Sequence, residues 1–125
     1  FQPSKILEEP YVMVCINIIA AESIDEAHYI STSHFQAFAN ILTDQRQPLL
    51  PPEETQLENL PDEVILHLNR MTEKTFVGDK NTLTEKLKTF VQQYKPDEII
   101  VSGNVFDFET KLKSYEIAAE ILREI

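Results

Sequence analysis

The sequence predicts an α/β fold with parallel strands, on the basis of three observations. An apolar run rich in β-branched residues extends over Tyr11–Ala21, and both of its alternating faces are apolar, which is typical of a strand covered on two sides. A second short apolar segment, Glu98–Ser102, ends at a glycine. Segments with helical spacing separate and follow these two strands. Because such crossovers usually connect parallel neighbours, we expect Val12–Ile19 and Glu98–Val101 to pair in parallel.

The first strand is followed by a helix and then by a long irregular connection. Ser23 and Glu26 have the spacing of a capping box, which predicts the helix N-terminus. Apolar residues then recur near helical spacing, namely Ala27, Ile30, Phe35, Phe38, Ile41 and Leu42. From Thr43 to about Pro61, several prolines and many polar residues exclude regular structure over most of the stretch. We expect a connection ordered through its contacts.

Two short elements are predicted in the middle of the chain. Asp62–Thr72 has the pattern of a short helix, with Val64, Ile65, Leu68 and Met71 on its apolar side. Thr75–Gly78 is predicted to be a brief extended segment that ends in a turn. If an added strand lies between the two clearer strands, it comes from Thr75–Val77 or from another chain.

Two further helices are predicted in the C-terminal half. Asp79 and Asn81 are both suitable N-caps for the first of them, whose apolar stripe consists of Leu83, Leu87, Phe90, Val91 and Tyr94. Asp107 is a suitable N-cap for the last helix. We predict that its buried stripe consists of Leu112, Tyr115, Ala118, Ala119, Leu122 and Ile125.

Charge and composition exclude several classes of partner. The formal net charge is -10, so a nucleic acid or an anionic membrane surface would be repelled. No apolar stretch approaches the ~20 residues of a membrane span, and Phe1–Pro3 does not resemble a signal peptide. We therefore expect a cytoplasmic protein. The single cysteine, Cys15, lies in an apolar run and is predicted to be a buried, inert thiol.

Three ordered groups of segments are similar to one protein family. The first consists of Pro10–Val14 and Ala20–Ala27, the second is Phe76–Asp79, and the third consists of Asp97–Val101 and Ser114–Glu116. Together they resemble the C-terminal portion of the luciferase-like flavin-dependent monooxygenases, in particular the single-chain bacterial oxidoreductases of that family. The segments occur in the order found in the family, and the resemblance covers nearly the whole chain.

The resemblance implies a fold and a cofactor. It implies that residues 1–125 are the C-terminal strand-helix units of a TIM (β/α)8-type barrel, incomplete in this chain, with Tyr11–Ala21 as strand seven and Glu98–Val101 in strand eight. The parent protein would use reduced FMN and O2 to oxidise a small organic substrate. Most residues that hold the flavin in such enzymes come from earlier strands, so we expect no cofactor in this chain alone.

The sequence also departs from the family pattern. The subgroup often has Asp-His before an Arg-Leu pair in the last helix, whereas this chain has Asp107–Phe108 and Lys111–Leu112. No role of that histidine carries over to this chain.

The candidate cofactor or substrate residues follow from barrel geometry. The reactive face of such a barrel is built at the carboxyl ends of its strands, which here means Ala20–Ser23 and Ser102–Asp107. Ser102 and Asn104 are able to donate hydrogen bonds to a flavin edge or a substrate, although Gly103–Asn104 also has the composition of a tight turn. Asp107 is a third candidate, for which a helix cap is the favoured role. We predict no metal site and assign no catalytic residue.

The histidines do not suggest a metal site either. His28 and His34 are six residues apart and fall on different faces of one helix, which favours surface or packing roles.

The two apolar strands, Tyr11–Ala21 and Glu98–Ser102, cannot bury both of their faces by themselves, so a partner is expected. The missing N-terminal part of the barrel would supply the cover in the parent. In its absence we expect a homo-oligomer joined through sheet edges or exchanged helices, with Thr43–Pro61 as the hinge for exchange. The alternative function is a naturally short, non-catalytic acidic oligomerisation or interaction module derived from the same fold.

Overall fold

A computed structural model describes residues 1–54 and 57–125 of the chain. Within these residues it contains three strands, which are β1 (Met13–Ala20), β2 (Thr75–Gly78) and β3 (Glu98–Ser102). It also contains four helices, which are α1 (Ile24–Leu42), α2 (Asp62–Met71), α3 (Lys80–Tyr94) and α4 (Phe108–Glu124). The predicted α/β class is confirmed.

The three strands form one parallel sheet in the order β2-β1-β3. β1 pairs with β3 in a register that runs from Met13 opposite Glu98 to Asn17 opposite Ser102, which confirms the predicted parallel pairing. Thr75–Gly78 is a strand, but it lies on the other side of β1, where it pairs with Asn17–Ala20. In a TIM-type barrel, strands that follow one another in the chain lie side by side. β2 does not lie between β1 and β3, so these are not three consecutive barrel strands.

Helices cover the two faces of the sheet unequally. α3 and α4 pack on one face, where the buried core consists of Ile16, Ile18, Ala20, Leu83, Leu87, Phe90, Ile117, Ala118 and Ile121. α1 packs over the carboxyl end of the other face, where Ile19, Ala21, Ala27, Ile30, Val77 and Val105 form a smaller buried cluster. The core is therefore continuous on one side and limited to one end on the other.

The remainder of the second face is uncovered. We define the open face as the side chains of β1 and β3 that alternate away from α3 and α4, namely Met13, Cys15, Asn17, Glu98, Ile100 and Ser102. Met13 is 57% exposed and Ile100 is 48% exposed. The prediction that Cys15 is buried is wrong, because the thiol is exposed on this face. The apolar sequence was sound evidence for a strand, but the described chain provides no helix over this end.

The helix starts follow the predicted caps. The Ser23 side chain accepts a hydrogen bond from the Glu26 amide at 3.1 Å, and Asp79 accepts one from the Thr82 amide at 2.9 Å. Asp79, rather than Asn81, is therefore the cap of α3. α2 ends one residue earlier than predicted.

The buried stripe of α4 differs from the prediction. Leu112 is 53% exposed and Ile125 is also exposed, whereas the buried residues of the helix are Ser114, Ile117, Ala118 and Ile121. The prediction left out Ile117 and Ile121 as well as Ser114, so the predicted stripe is rotated around the helix relative to the buried one. The Ser114 hydroxyl can be buried because it is hydrogen-bonded to the backbone of β1 at Ala20.

The described part of the connection after α1 contains neither a helix nor a strand up to Asp62. Thr55 and Gln56, which belong to the predicted connection and hinge, lie outside the described residues. Ser33 Oγ donates to the Leu50 carbonyl at 2.7 Å, and Tyr29 Oη donates to the Pro52 carbonyl at 3.2 Å. These two bonds fasten the first part of the connection to α1. Across residues 1–54 and 57–125, none of the helices is long and apolar enough to cross a membrane.

Candidate functional site

The carboxyl ends of the strands hold the three residues predicted as site candidates, but the structure does not bring them into one pocket. Ser102 is the last residue of β3, lies opposite Asn17 on the open face and is exposed. Asn104 lies in the loop between β3 and α4 and lines a cleft beside α1. Asp107 lies at the start of α4 and lines a different cleft.

The first cleft has a volume of about 290 Å³ and lies between α1, residues 46–50 and Asn104. Leu49 and Leu50 belong to its apolar part, whereas Arg46 and Asn40 add polar groups. Asn40 is buried, and its Oδ1 accepts a hydrogen bond from Gln36 Nε2 at 2.8 Å. Ligand pockets typically have volumes of roughly 300–1,000 Å³, so this cleft is at the lower limit for a small organic molecule.

The second cleft is smaller, with a volume of about 230 Å³, and it is strongly acidic. Four carboxylates line it, those of Glu22, Glu26, Asp107 and Glu109. The basic side chain among its lining residues, Lys113, forms ion pairs with Glu22 at 3.0 Å and with Glu116 at 3.9 Å. An anionic group would be repelled here.

Asp107 acts as the N-cap of α4. Its Oδ2 accepts hydrogen bonds from the Thr110 amide at 3.0 Å and from Thr110 Oγ1 at 2.7 Å. These bonds hold the pKa of Asp107 below its ordinary value, the backbone bond contributing most. A carboxylate stabilised in its ionised form is a good cap and a poor proton donor, which agrees with the role favoured from the sequence.

The carboxyl end of β1 is held in place by α4. Ser114 is buried, and its Oγ accepts a hydrogen bond from the Ala20 amide at 2.9 Å. Ser114 Oγ also lies 3.5 Å from the Ile18 carbonyl, to which it donates. The hydroxyl therefore satisfies two backbone groups of a buried strand, and it fixes where β1 leads into Ala21 and Glu22.

His34 is the residue near this edge that sequence reasoning underestimated. Its ring is buried between α1, β2 and the loop after β3, and Nδ1 accepts a hydrogen bond from the Asn104 amide at 3.1 Å. Nε2 lies 3.5 Å from Thr75 Oγ1. Burial lowers the pKa of His34 to about 4, so the ring is neutral near pH 7.

No signal in a single sequence identifies the partner of His34, because Asn104 is 70 residues away. Asn17 was also overlooked, although its position as a polar residue in an apolar strand was visible. His28 and His67 are exposed on α1 and α2, and the described residues contain no group of three or more potential metal ligands.

Comparison with known proteins places this chain among longer relatives. No family model matches it. The Bacillus subtilis protein YddN is 43% identical over 125 residues, which is 100% of this chain and 37% of YddN. An Escherichia coli protein described as a luciferase-like monooxygenase is 34% identical over 125 residues, again 100% of this chain and 37% of the relative. The chain is a homologue of luciferase-like monooxygenases.

One solved structure has the same fold over nearly the whole chain. The crystal structure of apo-MsnO8 superposes with a TM-score of 0.80 at 20% identity, over 98% of this chain and 38% of that protein. At this identity the superposition establishes a shared fold. The luciferase-like resemblance found in the sequence is confirmed, and the chain spans 37% of the length of the curated relatives named above. That share agrees with the expected C-terminal portion.

Proposed function

We propose that this chain is the C-terminal part of an FMN-dependent monooxygenase that uses reduced flavin and O2 to oxidise a small organic substrate. The observation that carries the proposal is the 34% identity of the entire chain to a luciferase-like monooxygenase of greater length. In this proposal β1 and β3 are strands seven and eight of a TIM-type barrel, and the open face looks into its interior.

The geometry of the two strands supports the barrel as well. α3 and α4 cover one face of β1 and β3, as outer helices do in a barrel. The exposed Met13 and Ile100 then correspond to interior positions that the other strands would cover. Asn17 and Ser102, side by side on the open face, would be the polar groups of this interior nearest the reactive end.

The residues of this chain do not fit FMN by themselves. The second cleft is lined by four carboxylates, and its lysine is already paired, so a flavin phosphate is unfavourable there. The first cleft contains Arg46 but is too small to enclose a flavin. We therefore assign the phosphate contacts to parts of the parent outside this chain. Bound flavin would supply the oxygen chemistry. Ser102 would contact a ligand on the open face, and Asn104 would contact one at the first cleft.

A chimera tests this proposal. The 125 residues of the E. coli relative that match this chain are replaced by this chain, and FMN binding is measured by quenching of flavin fluorescence. We expect the chimera and the intact relative to bind FMN saturably and the isolated chain not to bind it.

Three outcomes would contradict the proposal. A folded chimera without FMN affinity, beside a relative that binds it, would show that this chain does not supply the corresponding part. An intact relative without FMN affinity would overturn the cofactor assignment. Saturable micromolar binding by the isolated chain would overturn the assignment of the phosphate contacts.

The open face also supports the alternative function, an acidic oligomerisation module. Exposed apolar side chains on adjacent strands favour association. β2 pairs with Asn17–Ala20, so on the edge of β1 opposite β3 residues Met13–Ile16 have no partner strand within the described residues. Self-association of the isolated chain is expected under both functions, and the chimera distinguishes them.

A further inference from the structure

The loop between β3 and α4 has little support of its own. β3 ends at Ser102 and α4 begins at Phe108, so the residues between them belong to neither a strand nor a helix. Within the described parts of the chain, residues 104–106 make one hydrogen bond, which the Asn104 amide donates to His34 Nδ1. Val105 is buried and provides an apolar contact on the same side.

His34 is held rigidly enough to position this loop. Its ring makes edge contacts with Phe38 and Phe35, at centroid distances of 4.9 and 5.6 Å. Thr75 Oγ1 lies 3.5 Å from the other ring nitrogen, Nε2. Because Nδ1 accepts a hydrogen bond, the neutral ring carries its proton on Nε2. A buried imidazole with both nitrogens oriented in this way presents a fixed acceptor to the loop.

We propose that His34 is a positioning residue of the candidate site, which fixes the Asn104 wall of the first cleft through Nδ1. This inference rests on the proposed function for the importance of the loop, but the bond and its effect are measurable without flavin. If His34 held the loop by packing alone, the position of the loop would depend on the volume of the ring. If His34 positions the loop through Nδ1, the position of the loop depends on the acceptor atom.

Three variants separate the two roles. In His34→Asn, the amide oxygen takes the place of Nδ1, so the acceptor for Asn104 is kept while the ring is lost. His34→Phe keeps the ring and loses the acceptor. His34→Gln places its amide at the position of Nε2 and also loses the acceptor for Asn104.

The measurement is the hydrogen-exchange rate of the Asn104 amide in the 125-residue protein. We expect exchange to accelerate about tenfold or more in His34→Phe and His34→Gln, and to stay within a fewfold of the unsubstituted protein in His34→Asn. Equal protection in His34→Phe and the unsubstituted protein would overturn the proposal, because packing alone would then hold the loop.

A second measurement does not depend on the variants folding. An N–H···N hydrogen bond gives a scalar coupling between its two nitrogens, so the ¹⁵N-labelled protein should show one between Asn104 and His34 Nδ1. The imidazole ¹⁵N shifts should show an unprotonated Nδ1. Absence of the coupling, with Nδ1 carrying the proton, would contradict the proposed positioning even if flavin binding behaves as expected.

Discussion

At the scale of single residues, the most informative positions are buried polar side chains with partners far along the chain. Ser114 and His34 were either omitted from the core or given an ordinary packing role from the sequence. Their partners, the amides of Ala20 and Asn104, are 94 and 70 residues away. Local periodicity contains no information about such pairs, so the sequence predicted the helices better than the contacts that fix the site.

Ser114→Ala is expected to destabilise the protein by about 1–3 kcal/mol, because the Ala20 amide is left without a partner in the core. Urea denaturation measures the change in the free energy of unfolding. Thr89→Ala is the matched control, since Thr89 Oγ1 also bonds a backbone carbonyl but is exposed. The control should change stability by about 0.5 kcal/mol or less. Equal effects in the two variants would contradict the role of Ser114.

His34 predicts a pH dependence. Its folded pKa of about 4 lies below the ordinary value of 6.5, so between these values the unfolded chain binds a proton that the folded protein does not. The stability that neutral His34 contributes is therefore complete above pH 6.5 and is lost as the pH falls towards 4. From pH 7 to 4.5 the loss should be about 2–3 kcal/mol.

The comparison that checks this prediction is the same pH series on His34→Asn, which has no titrating group at this position. The unsubstituted protein should lose more free energy of unfolding than the variant over the interval. His28 and His67 are exposed and present in both proteins, so they cancel in the difference. Parallel curves would show that burial of His34 does not perturb its titration.

At the scale of elements, sequence patterns predicted boundaries and caps well and exposure poorly. Ser23, Asp79 and Asp107 cap the predicted helices because capping depends on residues within one turn. The exposure of Cys15 and Leu112 depends on which helix lies over which face, and this is a tertiary property. β1 was predicted correctly as a strand, but the burial of Cys15 within it was not.

The close approach of β1 to the end of β3 gives a prediction at this scale. A Cβ at Gly103 would lie 2.8 Å from the Ile18 carbonyl oxygen, so Gly103→Ala requires the backbone to move. We expect a loss of stability of about 1–3 kcal/mol by thermal or urea denaturation. Gly78→Ala is the control, because its Cβ would meet a Thr82 side chain at 3.3 Å.

The two glycines should therefore differ. A side chain such as that of Thr82 yields more easily than a backbone carbonyl in a strand, so Gly78→Ala should cost clearly less. If Gly103→Ala is as stable as the unsubstituted protein, the loop after β3 does not lie against β1. Asn104 would then not form a wall of the first cleft.

At the scale of the whole molecule, the central feature is a sheet with one face packed under two helices and one face that is partly open. The sequence predicted this imbalance, because two apolar-sided strands need more cover than the predicted helices provide. It did not predict that α1 would cover the carboxyl end, where Ile19 and Ala21 are buried. What remains exposed is the end of the sheet around Met13 and Ile100.

The open face predicts self-association of the isolated chain. Burial contributes about 25 cal/mol per Å² of apolar surface, so several hundred Å² would contribute roughly 10 kcal/mol before the costs of association. Ile100→Lys should weaken the association, because it places a charge in the centre of the face. Leu66→Lys is the matched control, since Leu66 is an exposed leucine on α2, which packs against α1.

Light scattering at tens of micromolar protein is the most direct test that the chain is an incomplete sheet in need of cover. We predict a dimer or larger species for the unsubstituted chain and for Leu66→Lys, and a shift towards monomer for Ile100→Lys. A folded, monodisperse monomer of the unsubstituted chain with cooperative unfolding would show that the chain closes its own core, and would contradict this account.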